Sequence, residues 1–173
     1  MQTFLPYAEY DRSAKALDPK RLANQVKEAA QIFASLFGGA YVLIPASAQA
    51  EHESDFSPAE PVLYSTGGYP NHPATLMWKD YERELSLYAL ACIAELRERG
   101  SGAMKVYEKM FTEARDLLRD TGRPPWIGNE RFHAAHRSQL LAKDPDWYNL
   151  CGWTETPGSL EYFWPTKETV HGS

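Results

Sequence analysis

The sequence contains no run of about 20 apolar residues, which is the length that a helix needs to cross a bilayer. It has two cysteines, Cys92 and Cys151, which are too few for a disulfide framework. Residues 1–6 lack a basic segment followed by an apolar one, so we expect no signal peptide. These absences argue against a membrane protein and a disulfide-rich secreted protein, and we expect a cytoplasmic protein.

Basic residues are also scarce. The chain carries 18 Lys and Arg residues against 23 Asp and Glu residues, a net charge of −5, which by itself argues against a phosphate-rich partner. The basic residues are unevenly distributed, however: residues 123–143 contain four of them, whereas residues 45–65 contain none. A locally basic cleft on an acidic protein is therefore compatible with the sequence.

What the sequence does contain is enough apolar material for one folded core, since hydrophobic residues make up 43% of its 173 residues. Asp18 is a favourable N-cap and Pro19 a favourable first residue of a helix, which is predicted to end near residue 37, before Gly38-Gly39. Its apolar face consists of residues at helical spacing: Leu22, Val26, Ala29, Ala30, Phe33 and Phe37.

Three further helices are predicted, over about 71–99, over about 103–119 and from an Asn129 cap to about residue 143. We expect residues 1–18 to form an extended arm and the aromatic tail from residue 144 to pack over the helices. Residues 40–70, with four prolines, predict a long loop in which short strands at 40–44 and 62–64 can be accommodated. The predicted fold is all-α: a single-domain bundle, residues 1–173, of about four main helices.

Arg21, Gln25 and Glu28 are spaced i, i+4 and i+7, so they share one face of the first predicted helix, beside its apolar face. A carboxylate at the edge of a core, with an amide and a guanidinium nearby, can serve as a catalytic group. The same spacing fits a partly solvated face with an intrahelical hydrogen bond, and both interpretations stay open. The outer face of this helix is predicted to carry Lys20, Asn24, Lys27 and Gln31.

Two other polar groups are candidates for binding. Asn71 is the expected cap of the second predicted helix, with His72 beside it, and the N–H groups of that terminus are suited to a phosphate. His133, His136 and Arg137 lie on or near one face of the fourth predicted helix. They are candidates for phosphate contacts or, together with His72, for metal ligands, although no Cys pair or His-Glu motif at ligand spacing supports a metal site.

Aromatic and amino groups complete the candidates. Some of the aromatic residues in the second half of the chain could stack on bases, although most are expected in the core: Trp126, Trp147, Tyr148, Trp153 and Trp164. An α-amino group is less basic than a lysine side chain, so a larger fraction of it is neutral and nucleophilic at pH 7. Since Gln2 is large, we expect the initiator residue to be retained, and the amine then belongs to Met1.

Several short motifs occur together in a fixed order. They are found at residues 17–22, 25–28, 68–73, 124–126, 136–138 and 143–148, with Trp78, Tyr81 and His133 between them. In this respect the chain resembles the pyrimidine-dimer DNA glycosylase superfamily, the group of the phage endonuclease V. It is most similar to a bacterial and phage branch that begins Met-Gln-Thr-Phe-Leu-Pro and includes anti-phage glycosylases that remove modified bases.

The resemblance implies a compact helical fold whose first long helix supplies a catalytic glutamate, at the position of Glu28, preceded by a basic residue, at the position of Lys27. In the archetype the N-terminal amine attacks the sugar C1′, the base leaves, and a Schiff base forms. The glutamate then supports strand cleavage. The family opens the duplex and takes a nucleotide out of the stack.

The chain departs from the archetype in three places. The arm before the first long helix is several residues longer, a second basic position is occupied by Gln31, and residues 39–66 form an acidic insertion loop. Because of the longer arm, either the Met1 amine or water can be the nucleophile. The insertion leaves two substrates open, a pyrimidine dimer or a hypermodified cytosine such as glucosylated hydroxymethylcytosine.

We therefore expect a DNA N-glycosylase, with or without AP-lyase activity, that acts as a monomer on double-stranded DNA and needs no cofactor. Its role is either repair or defence against phage. The catalytic residues are Glu28 and Met1, and the strand or the flipped base is held by Lys20, Arg21, Gln25, Lys27, Asn71, His72, His133, His136 and Arg137. Two alternatives stay open: a non-catalytic DNA-binding or interaction module, and a metal-dependent nuclease using His72, His133 and His136.

Overall fold

The computed structural model describes residues 1–37, 69–101 and 104–165. The insertion loop predicted at 39–66, with its two short strands, lies outside these residues. Within them the chain is helical and contains no strand, which confirms the all-α prediction. The helices are α1 (Tyr10–Ala16), α2 (Pro19–Leu36), α3 (Pro73–Trp78), α4 (Glu82–Glu98), α5 (Lys105–Leu117), α6 (Glu130–Lys143) and α7 (Pro145–Tyr148), and a short 3₁₀ helix (Asn149–Cys151) follows.

The predicted helix starts are confirmed at two of the four long helices. Asp18 caps α2 by accepting a hydrogen bond from the Arg21 backbone N–H, and Pro19 is its first residue. Asn129 caps α6 by accepting from two backbone N–H groups of the first turn. In both cases the side-chain oxygen satisfies a donor that has no partner within the helix.

Two sequence predictions about helices are wrong. The N-terminal arm is not extended throughout, because residues 10–16 form α1. The helix predicted over 71–99 is two helices, α3 and α4, separated at Asp80, whose φ of 73° breaks the helical path. Aspartate tolerates this left-handed conformation better than most residues. The apolar spacing of Met77, Tyr81 and Leu85 continues across the break, so periodicity alone does not reveal it.

The core is centred on α4, which packs against α1, α2 and α5. Leu85, Tyr88 and Cys92 of α4 and Leu22 and Val26 of α2 are fully buried. Burying a side chain of this size stabilises the fold by about 1.5–3 kcal/mol. No helix in the described ranges combines the length and the apolar character that crossing a bilayer requires.

The N-terminal segment lies in the middle of this assembly and not on its surface. Thr3, Phe4, Leu5 and Pro6 are all buried, and they hydrogen-bond to side chains of α2, α3, α4 and α6. The fold therefore fixes the course of residues 3–6, which leads to the first two residues of the chain.

Candidate active site

A pocket of about 490 Å³ opens where α2 meets the N-terminal residues and the C-terminal tail. Its volume is typical of pockets that enclose most of a small organic ligand. Its lining combines amide, charged and aromatic side chains: Met1, Gln2, Phe4, Lys20, Arg21, Asn24, Gln25, Glu28, His72, Lys143, Tyr162 and Trp164.

One face of α2 forms a side of the pocket. Arg21, Gln25 and Glu28 line it together, as expected from their spacing. The face is wider than the sequence indicates, because Lys20 and Asn24, expected on the outer face, also line the pocket. Lys27 is exposed and does not line it.

The chain terminus lies against the carboxylate of Glu28. The Met1 amino nitrogen is 3.8 Å from Glu28 Oε2, and the backbone N–H of Gln2 donates to the same oxygen over 3.2 Å. The Met1 side chain is only 3% exposed, whereas the residue as a whole is partly exposed, so its accessible surface belongs to the backbone, which includes the amine. Glu28 is therefore placed to orient the amine and to accept a proton from it.

The long arm does not keep Met1 away from Glu28. Residues 7–18 are taken up by a turn and by α1, so that only the first six residues cross the molecule towards the pocket. The Trp78 indole N–H donates to the Thr3 hydroxyl over 3.0 Å and fixes the segment next to α3. The extra length relative to the archetype is thus absorbed before α2 begins.

Gln25 holds residues 1–6 through its amide oxygen. Its Oε1 accepts from the Phe4 N–H over 2.6 Å and lies 2.7 Å from the Tyr88 hydroxyl. The Tyr88 hydroxyl is also 2.9 Å from the Phe4 carbonyl oxygen, so its single proton serves one of the two oxygens. Gln25 lines the pocket although it is only 2% exposed.

Two buried histidines bind the next residue of the arm. The Leu5 N–H donates to His136 Nδ1 over 3.1 Å, and His133 Nδ1 donates to the Leu5 carbonyl over 2.8 Å. His133 Nε2 accepts from the Gly128 N–H, so both of its ring nitrogens are in use. Burial, with a smaller effect from His133, lowers the pKa of His136 to about 3. Burial also lowers the pKa of His133, and both rings are neutral at pH 7.

Arg137 binds the next residue of the N-terminal segment. Its guanidinium donates to the Pro6 carbonyl over 2.9 Å and to Glu155 over 2.8 Å, and it also pairs with Glu130. Although burial acts in the other direction, these two carboxylates raise the pKa of Arg137. We call the five buried side chains that bond to residues 4–6 the arm clamp: Gln25, Tyr88, His133, His136 and Arg137.

Three of the predicted DNA contacts are therefore interior residues. His133, His136 and Arg137 belong to the arm clamp, are 1–8% exposed and do not line the pocket.

The two residues before α3 have different positions. His72, not Asn71, is the N-cap, because its Nδ1 accepts from the Ala74 N–H over 3.1 Å. Asn71 is exposed and does not line the pocket.

His72 faces the pocket as a neutral donor. Burial and, to a smaller degree, the positive amino terminus lower its pKa, while Glu28 opposes the shift. Since Nδ1 accepts a hydrogen bond from the backbone, the proton of the neutral ring is on Nε2. His72 can therefore donate one hydrogen bond to a ligand without carrying a charge.

Three basic side chains form what we call the cationic rim of the pocket: Lys20, Arg21 and Lys143. Arg21 is partly neutralised by Asp18 at 2.7 Å and Asp144 at 3.8 Å. Lys20 and Lys143 are exposed and form no ion pair with any described residue. Lys143 comes from the last turn of α6 and is brought to α2 by a hydrogen bond from Arg21 to its carbonyl oxygen. The rim can therefore bind an anion.

Several lining residues are not among the site residues predicted from the sequence. Lys143 belongs to one of the motifs that carry the family resemblance, so its position could have been used. Tyr162 lies in the tail without any spacing signal, and Trp164 was one aromatic candidate among five.

Among the described residues, no group of three or more His, Cys, Asp or Glu side chains could hold a metal ion. His72, His133 and His136 thus do not converge on one site.

Comparison with known families gives one match. The sequence model of the family described as pyrimidine dimer DNA glycosylase matches residues 1–110. The matched region contains Met1, the whole of α2 and His72, whereas Lys143, Tyr162 and Trp164 lie beyond it. No curated protein and no solved structure matches the chain.

Proposed function

The chain belongs to the pyrimidine dimer DNA glycosylase family, and from this premise we propose that it excises a damaged or modified base by attack of the Met1 amine on the sugar C1′. The observation that carries the proposal is the 3.8 Å separation between the Met1 nitrogen and Glu28 Oε2 in a pocket with a cationic rim. A neutral amine is a nucleophile, and the adjacent carboxylate can take the proton that the ammonium form must lose.

In the proposed first step the amine lone pair forms a bond to C1′ while the C1′–N bond to the base breaks. The base leaves with the electron pair and takes up the proton that Glu28 has received from the amine, so that the carboxylate is free again. Opening of the sugar ring then gives a Schiff base between the Met1 nitrogen and C1′. Glu28, on the same side of the pocket as the amine, is the group that collects the amine proton.

The second step is strand cleavage at the resulting abasic site. Removal of a C2′ proton from the Schiff base lets the C3′–O bond break, so that the 3′ phosphate leaves by β-elimination. We assign the removal of this proton to Glu28 as well, because its carboxylate is the titratable oxygen group that lines the pocket beside the amine. The AP-lyase activity that we propose follows from the same two groups.

The DNA strand is proposed to lie along the cationic rim. Lys20 and Lys143 are unpaired within the described ranges, so each can bind a phosphate group at little cost in lost ion pairs. Arg21 contributes less, because Asp18 already holds its guanidinium. His72 is proposed to donate a hydrogen bond from Nε2 to the sugar or the base.

Borohydride trapping on a duplex with one abasic site tests this proposal. Reduction of the Schiff base leaves a stable covalent adduct, and peptide mapping is expected to locate it on the Met1 nitrogen. Base release without any adduct would contradict the amine mechanism and favour water as the nucleophile. Mass spectrometry of bases released from ultraviolet-irradiated, unmodified and phage-modified DNA identifies the substrate, a pyrimidine dimer or a modified base.

Glu28→Gln tests the role of the carboxylate. The amide can still accept from the Gln2 N–H but takes up no proton, so we expect both base release and strand cleavage to fall by about 10²- to 10⁴-fold. The matched control is Glu98→Gln, which removes an exposed carboxylate at the end of α4, outside the pocket. Unchanged base release by Glu28→Gln, with DNA binding retained, would end the assignment of catalysis to Glu28.

A further inference from the structure

One wall of the pocket is aromatic. Four rings form it, in edge-to-face or tilted contact with one another, and we call them the aromatic wall: Phe4, His72, Tyr162 and Trp164. Two of these rings come from the C-terminal tail, beyond the residues that the family model matches. The family match therefore assigns no role to Tyr162 or Trp164.

The tail that carries these rings is fixed to α6. The Ser138 hydroxyl donates to the Thr156 carbonyl over 2.7 Å, and the Gly158 N–H donates to the Ser138 carbonyl over 2.8 Å. Gly158 has a φ of 69°, and a Cβ there would lie 3.3 Å from the Cβ of Ala142. Only glycine combines this backbone conformation with so close an approach, so the tail returns to the pocket by a defined turn.

The two tail rings are held at the pocket by other rings. Tyr162 contacts His136 at 5.6 Å and Phe4 at 6.4 Å between ring centroids, and Trp164 contacts Tyr162 at 5.7 Å and His72 at 6.0 Å. Both residues are only partly buried. Each ring is therefore in contact with neighbouring rings and, as a lining residue, contributes surface to the pocket.

Neighbouring tail aromatics do not line the pocket. Phe163, between the two wall residues, lies under the guanidinium of Arg131 at 5.0 Å. The Trp153 indole donates to the Tyr7 hydroxyl over 2.8 Å. Of the three consecutive aromatic residues, Tyr162 and Trp164 line the pocket, whereas Phe163 packs on α6. Phe163 can therefore serve as a control in tests of the two wall residues.

We propose that Tyr162 and Trp164 stack on the base that is excised, and so help to select it. This inference rests on the proposed function. The three sides of the pocket then match the three parts of one nucleotide: the cationic rim takes the phosphate, Met1 and Glu28 face the sugar, and the aromatic wall takes the base. Stacking on aromatic side chains suits any flat base that has left the duplex.

Tyr162 adds a polar group to this wall. Its hydroxyl makes no hydrogen bond to another residue in the described part of the chain. Burial raises the pKa of Tyr162 to about 12, so the phenol is neutral at pH 7 and can donate a hydrogen bond. A ring substituent or carbonyl oxygen at the edge of the stacked base is the matching acceptor.

The test compares substrates that contain and lack the base. For Tyr162→Ala and Trp164→Ala, we expect kcat/KM for base release from the active DNA of the panel above to fall roughly 5- to 150-fold. Cleavage of a duplex with one abasic site needs no stacked base and is expected to stay within about twofold of the unmodified protein. Tyr162→Phe keeps the ring and loses the hydroxyl, so its base-release activity is expected to lie between that of Tyr162→Ala and that of the unmodified protein.

Phe163→Ala is the matched control, since it removes an aromatic ring from the same tail but not from the pocket, and both reactions are expected to continue. Equal losses on the two substrates in the wall variants would overturn the inference and show a structural role of the tail. No loss on either substrate would overturn it as well. Failure of the proposed function looks different, because the unmodified protein would then release no base or form no borohydride adduct.

Discussion

The pocket and the arm clamp use the same kinds of side chain, yet they do opposite things with them. At the pocket, Lys20, Lys143 and Glu28 keep accessible charge. In the arm clamp, His136 and Arg137 form hydrogen bonds with the backbone of residues 5 and 6. The side chains of the pocket are free to bind a ligand, whereas those of the arm clamp hold the N-terminal residues in place. Side-chain type therefore does not decide between binding a substrate and positioning a reactive group; burial and partners do.

The comparison predicts that substitutions in the arm clamp change stability, while substitutions at the pocket change DNA binding and catalysis. The largest effect is expected from Arg137→Met, which leaves the Pro6 carbonyl and the half-buried Glu155 without their cation. Breaking such a pair typically costs about 3–5 kcal/mol. Urea unfolding measures the loss.

Arg131→Met, on the same helix and six residues before Arg137, is the control for Arg137→Met. Arg131 is exposed, and its loss is expected to change the free energy of unfolding by no more than about 0.5 kcal/mol. A second variant, Arg137→Met with Glu155→Leu, should recover part of the loss, because the less exposed of the two carboxylates is then no longer left unpaired. Equal stabilities of Arg137→Met and Arg131→Met would contradict the assignment of Arg137 to the arm clamp.

The next effect concerns pH. His136 has a pKa of about 3 in the folded protein against an ordinary value of 6.5, so between these values the unfolded chain binds a proton that the folded protein does not. Stability is therefore complete above about pH 6.5 and is lost as the pH falls, by up to about 1.4 kcal/mol per pH unit. Urea unfolding between pH 7.5 and 4.5 measures this slope.

His136→Asn isolates the contribution of that ring. Asparagine offers an acceptor to the Leu5 N–H but does not titrate, so the stability profile of the variant should be flatter than that of the unmodified protein. His72→Asn, at the pocket, retains a cap for α3 and should leave the steep profile in place. A profile of His136→Asn that stays parallel to the original would show that this histidine is not the sensor of acid.

The smallest effects are expected at the cationic rim. Lys20→Gln and Lys143→Gln should each lower the slope of log Kd against log salt concentration by about 1, with a weaker affinity for duplex DNA and almost unchanged stability. Fluorescence anisotropy with a labelled duplex at several salt concentrations measures it. Lys27→Gln is the matched control, since Lys27 is exposed on α2 but does not line the pocket. An equal slope change in that variant would extend the DNA-binding surface beyond the rim.

Local rules in the sequence predicted much of the fold and part of the site. Caps such as Asp18 and Asn129 act on the backbone next to them, and the spacing of Arg21, Gln25 and Glu28 defines one helix face; both are short-range properties. The break at Asp80 was not predicted, because the residue is neither Gly nor Pro and its conformation depends on how α3 and α4 pack.

The division between pocket and arm clamp depends on long-range contacts, which residue type and spacing do not reveal. His136 and Leu5 are 131 residues apart, as are Arg137 and Pro6, so no local pattern shows that α6 grips the N-terminal arm. Tyr162 and Trp164 reach the pocket only because the tail turns back at Gly158. Local sequence rules predict which polar and aromatic residues lie on which helix or segment. The packing of the helices and segments determines which of these side chains come into contact.

The enclosed course of residues 3–6 has a practical consequence for anyone who prepares this protein. A purification tag joined to Met1 would turn its amine into an amide, which is not a nucleophile, and the added peptide would have to leave the molecule past Glu28. Such a fusion protein would fold and purify normally, yet the tag peptide would occupy the pocket. A removable tag whose cleavage regenerates a free Met1 avoids that outcome.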